Sequence, residues 1–167
     1  MVHDWLYENA PGYQELNEEE KYAIMNFSWL WSLFEAQLLE YSASANSIQK
    51  FIKDWGDSGI LQVDDFIEYK DYFAQRYMDD ENTNGRFPHL HLREKTDKPG
   101  LVVRVLKNET NDVSEIVTAL LIIVLRYRNN YFHGMKWAYG YEEQLDNFTV
   151  ANKLLMKIME IHWEQGN

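Results

Sequence analysis

The chain has 167 residues and no cysteine, with 27 acidic against 16 basic side chains and a formal net charge of −11. That length suits one domain, able to bury roughly 70% of its unfolded surface without staples. The charge opposes passive binding to duplex DNA, and the missing cysteines exclude disulfides and thiolate metal sites.

Residues 1–16 read as an irregular N-terminal arm, with Pro11-Gly12 as a turn and Trp5 and Tyr7 free to pack on the body. Asn17 before Glu18-Glu19-Glu20 is a helix start: a capping side chain, then acids at the positive dipole end. This helix is expected to reach Tyr41, with Tyr22, Phe27, Leu30, Trp31, Phe34, Leu38 and Tyr41 on one apolar face and Glu35 beside them. A second helix is expected over 46–55, broken by Gly56 and Gly59, and a third over 63–78 through Phe66, Tyr69, Phe73 and Tyr77.

The stretch 79–100 is rich in Asp, Asn, Gly and Pro and reads as a long surface loop, with a short ordered piece at 87–92. Leu101–Leu106 (LVVRVL) has β-branched content but no partner strand, and is read as a short helix. Asn111-Asp112 offers a cap for a strong helix from Val113 to Phe132, apolar nearly all round between Val117 and Leu125 and therefore the central one. A final helix over 142–163 carries Leu145, Phe148, Leu155, Ile158 and His162 as inner candidates. The longest purely apolar run, Ala119–Leu125, is far below the 20 or so residues of a membrane span. With an acidic N-terminal segment unlike a secretory leader, this leads to the expectation of a cytoplasmic protein without membrane contact.

The central helix changes character at Arg126-Tyr127-Arg128-Asn129-Asn130-Tyr131-Phe132-His133-Gly134. Cleaving a phosphodiester without a metal needs a proton carrier near neutral pH, which His133 supplies, and a fixed cation for the phosphate oxygens, which Arg128 supplies. The two are five residues apart, about 140° of rotation on a regular helix, so a distorted last turn or a second copy of the helix must bring them together. Arg126 and Lys136 complete the clearest cationic cluster in the sequence, and Tyr131 offers a ring for stacking a base.

Arg128-Asn129-Asn130-Tyr131-Phe132-His133-Gly134 resembles the HEPN pattern of Arg, a polar residue, variable positions and His. The aromatic helix containing Glu35 (NFSWLWSLFEAQL) is similar to the first helix of Apea-like and related HEPN proteins. The resemblance spans about 17–163, and only the Arg-to-His motif is specific. It implies an all-α, HEPN-like helical bundle of about five helices, filling 17–165 as a single domain. It also implies a metal-independent endoribonuclease in which a ribose 2′-hydroxyl attacks the adjacent phosphate at a homodimer interface. Carried onto this sequence, His133 moves the proton, Arg128 stabilises the phosphorane and Asn129 orients the phosphate or the imidazole. Arg126, Tyr131, Lys136 and Glu35 stand around the substrate. No cofactor is implied. A toxin or phage-defence setting, with an antitoxin or nucleotidyltransferase partner, belongs to the same resemblance, as do inactive members that serve as interaction scaffolds.

Plainer readings stand beside these. His133 fits a helix C-cap and Arg126 and Arg128 fit surface ion pairs, while Tyr127, Tyr131 and Phe132 fit core or dimer packing. His89 and His91 have the spacing of a metal pair but no third ligand.

Overall fold

The computed structural model describes residues 1–133 and 144–166. The expected helical ends at 142–143, and Lys136, lie outside the described residues. The protein is all-α: α1 (Val2–Asn9), α2 (Glu18–Leu38), α3 (Ala45–Asp57), α4 (Ile67–Tyr77), α5 (Pro99–Leu106), α6 (Val113–Phe132) and α7 (Leu145–Glu164). Among the described residues three short 3-10 turns and one hairpin of two-residue strands interrupt them. Among the described residues no helix is long and apolar enough to cross a membrane.

Two compact units emerge, residues 1–33 with 129–167 and residues 34–128, and α2 and α6 each supply residues to both. In the first, Asn17 caps α2 as its sequence dictates. Its Oδ1 accepts the Glu20 amide at 3.0 Å while the Glu20 carboxylate accepts the Asn17 amide at 2.9 Å, a reciprocal box that satisfies two helix-end donors. Phe27 and Trp31 are buried, with Phe27 edge-on to Phe148 of α7 at 5.1 Å between centroids. Leu154, Leu155, Ile158 and Met159 complete the buried face of α7. Ile161 takes the inner place expected for His162, which is half-buried. Asn152 is buried between α7 and α2 and donates to the Ala23 carbonyl at 3.0 Å. The expected irregular arm is instead a helix, α1, in which the Asn9 side chain binds the Trp5 carbonyl and which the Pro11-Gly12 turn ends.

In the second unit, α2 stops at Leu38 and Tyr41 leaves the apolar face expected for it. Glu40 and Tyr41 adopt left-handed φ of 48° and 61°, and Tyr41 is exposed while Leu39 is buried. Glu35 closes this turn: its carbonyl accepts the Leu39 and Tyr41 amides and its carboxylate the Ala43 amide. Ser44 then caps α3 through the Ser47 amide.

Gly56 does not break α3, which continues to Asp57. A Cβ there would stand 1.8 Å from Ser114 Oγ, so the missing side chain permits close approach of α3 to the start of α6. Gly59, at φ 71°, makes the following turn. The region expected as a loop holds the hairpin Met78–Asp79 with Asn82–Thr83 and the 3-10 turn Phe87–Leu90. LVVRVL is helical, entered through Pro99, and α5 packs on α4. Asp112 caps α6, its Oδ1 accepting the Glu115 amide at 3.0 Å. From Ile116 to Leu125 every residue of α6 is buried.

Candidate functional site

The polar end of α6 divides its side chains among different tasks. Arg126 is buried. Its Nε donates to the Leu90 carbonyl at 3.0 Å, and Nη1 stands 3.2 Å from Asp97 Oδ2. Asp97 is itself fixed by the Arg93 amide at 2.9 Å and the Thr96 hydroxyl at 3.0 Å. Burial pushes the guanidinium below its ordinary pKa, the Asp97 charge opposes that, and Arg93 adds repulsion. This geometry holds the 90–97 segment to the central helix, which is a structural use of Arg126 rather than display toward a substrate.

Tyr127 is buried as well, its hydroxyl 2.6 Å from that of Tyr77 and its ring edge-on to Phe73. Burial first, then the Tyr77 hydroxyl, raises the Tyr127 phenol well above its ordinary value, so it remains neutral.

Arg128 is different. Its side chain is 31% exposed, and Nη2 lies 3.8 Å from Glu35 Oε2. The structure thus brings Arg128 and Glu35 together, with Glu35 also holding the turn after α2 through Ala43. The Arg128 Nε is buried, so the guanidinium is only partly exposed, and a phosphate or carboxylate that reaches its exposed part would compete with Glu35 for it.

The remaining motif residues fall in the other compact unit. Asn129 is half-buried and its carbonyl accepts the His133 amide at 2.9 Å, so the helical ladder reaches His133. Asn130 is buried. Tyr131 packs edge-on to Phe148 at 6.2 Å and to Phe132 at 5.0 Å, while Phe132 is exposed. His133 is exposed, in the turn that follows the helix. An exposed imidazole can exchange protons with solvent or a bound molecule.

His89 and His91 have ring centroids 6.5 Å apart, and no group of three or more metal-binding side chains occurs among the described residues. Two features carried no sequence signal: the Arg126–Asp97 pair and the Tyr77–Tyr127 pair, each joining positions far apart in the chain without periodicity. A groove is lined by Leu6, Leu16, Ile24, Met25, Trp29 and Tyr131, and its signal in the sequence is the three- and four-residue spacing of Tyr22, Met25 and Trp29 in α2.

No protein-family model, curated protein or solved structure matches the chain. The likeness to HEPN proteins therefore rests on the quoted residues alone.

Proposed function

We propose that the protein is a HEPN-type, metal-independent endoribonuclease acting as a homodimer, with Arg128, Asn129 and His133 as its working residues. The observation that carries this reading is an Arg-polar-x-x-x-His segment at the tip of the most buried helix, with its imidazole exposed and its guanidinium half-exposed. In the proposed reaction the 2′-oxygen bonds to phosphorus as the bond to the 5′-oxygen breaks. One imidazole takes the proton of the 2′-hydroxyl, and the leaving 5′-oxygen gains a proton from a second. Arg128 holds the charge that grows on the phosphoryl oxygens, Glu35 fixes the guanidinium before RNA arrives, and Asn129 orients the phosphate. Tyr131 flanks the substrate. A cytoplasmic toxin or phage-defence role, with an antitoxin or nucleotidyltransferase partner, is the setting this reading implies.

The test is RNA incubated with purified protein in chelator, with product ends identified. The expected products carry 2′,3′-cyclic phosphate and 5′-hydroxyl ends. His133→Ala and Arg128→Ala should each lower the rate by about a hundredfold or more. The exposure of His133 makes its loss a probe of chemistry rather than of folding. Undiminished cleavage by His133→Ala would remove the assignment.

A second reading, a non-catalytic HEPN-like interaction module, is favoured by one observation: Arg128 already faces a carboxylate in a chain of net charge −11. It predicts a folded wild-type protein that leaves RNA intact.

A further inference from the structure

The groove that Tyr131 helps to line belongs entirely to the unit of residues 1–33 and 129–167. α1 and the turn Tyr13–Glu15 supply one side, and the first half of α2 the other. Its volume is about 540 Å³, within the range of sites that enclose a ligand or several side chains.

Two observations indicate what it accepts. The first is an apolar stripe. Tyr22, Met25, Trp29 and Leu33 recur at three- and four-residue spacing along α2 and are all exposed, Trp29 by 74%. α1 lines the groove with His3 and Leu6 and leaves Tyr22, Met25 and Trp29 exposed. A stripe at helical spacing turned to solvent is the counterpart of another apolar helix face, and exposed apolar patches mark interaction sites. From Tyr22 to Leu33 it runs about 16 Å, three turns of helix.

The second is charge. Residues 1–33 hold six carboxylates (Asp4, Glu8, Glu15, Glu18, Glu19 and Glu20) and a single lysine or arginine, Lys21. Lys21 is engaged internally, 2.9 Å from Glu18 and 5.0 Å from the centre of the Tyr13 ring. Such a segment repels nucleic acid and acidic chains and attracts basic ones.

We propose that this groove is a docking site for a basic amphipathic helix of a partner protein, its apolar face on Tyr22, Met25 and Trp29 and its cationic flanks against the carboxylates of α1 and α2. This is the helix-in-groove mode, in which apolar anchors supply affinity and flanking charge supplies selection. It shares Tyr131 with the ribonuclease reading but rests on other residues, Tyr22, Met25 and Trp29.

The experiment uses the whole protein and a fluorescent amphipathic model helix of leucine and lysine, with a leucine–glutamate helix of equal length as control. Binding is read by anisotropy. The lysine helix should bind, weaken as salt rises, and bind at least about tenfold less tightly to Trp29→Ala and Met25→Ala. Both side chains are exposed, and circular dichroism checks that the variants remain folded. Three outcomes overturn the proposal. Equal binding of the glutamate helix would mean undirected stickiness. Unchanged binding to both alanine variants would mean attraction to acid anywhere on the protein. A wild-type dimer that Trp29→Glu dissociates, with no binding of the lysine helix, would give the face to a second copy of the chain.

Discussion

Arg126 and Arg128 stand two residues apart on one helix, yet their surroundings differ in kind. Arg126 lies in the interior, 5% exposed at the side chain, against an Asp97 that is 7% exposed. Arg128 is 31% exposed beside a Glu35 that is 19% exposed, at 3.8 Å rather than 3.2 Å. Helical rotation of about 200° over two residues sends one guanidinium inward and the other toward the surface. A cationic cluster in sequence is therefore not one cationic patch in space. The interior arginine fastens a long connection to the core, and the outer one keeps its charge within reach of solvent.

The sharpest way to break this contrast is to remove the acids in turn. Asp97→Ala removes the carboxylate that faces a buried guanidinium and should cost about 3–5 kcal/mol in urea unfolding. Replacing both Arg126 and Asp97 with apolar residues of similar size should recover much of that loss, because the desolvation of two charges disappears with them.

Between the two arginines, Tyr127 extends the interior environment by one residue. Tyr127→Phe should cost about 1–2 kcal/mol by taking the Tyr127 hydroxyl away from buried Tyr77, and adding Tyr77→Phe should cost less than a second loss of that size. The same pair sets an alkaline limit. Unfolded tyrosines lose protons near 10, whereas burial raises both phenols in the folded protein. Stability is then intact below that pH and falls as pH rises above it, where the unfolded chain binds fewer protons. A pH series of melting temperatures should show this fall, flattened in the double phenylalanine variant.

The smallest effect is expected at the outer pair. Arg128→Ala should change stability by at most about 1 kcal/mol, since water screens a half-exposed ion pair. If its loss instead matched that of Asp97→Ala, the two arginines would be equivalent structural anchors and the contrast would fail.

Much of the fold was legible because local rules operate within a few residues. Asn17 and Glu20, Asp112 and Glu115, and the apolar run from Val117 to Leu125 each declare a helix start or a buried helix on their own. Expectations failed where backbone polar groups found partners that periodicity does not encode. Tyr41 matches the stripe spacing, but Glu35 draws the chain into left-handed conformations before Tyr41 can join the helix. Gly56 looked like a helix breaker and is a packing contact with Ser114. At the candidate site, the residue types and their order were visible, whereas the assignment of Arg126 to the interior depended on an acid 29 positions earlier.

The sequence by itself determined the helical class, the identity of the innermost helix and the place where that helix turns polar, because hydrophobic periodicity and end-capping act over one or two turns. Only the tertiary structure decided which arginine is enclosed, which remains near the surface, and that α2 turns an aromatic stripe to solvent. Those outcomes depend on which distant groups arrive to neutralise a charge or cover a face, and the cost of burial is settled only once they have arrived.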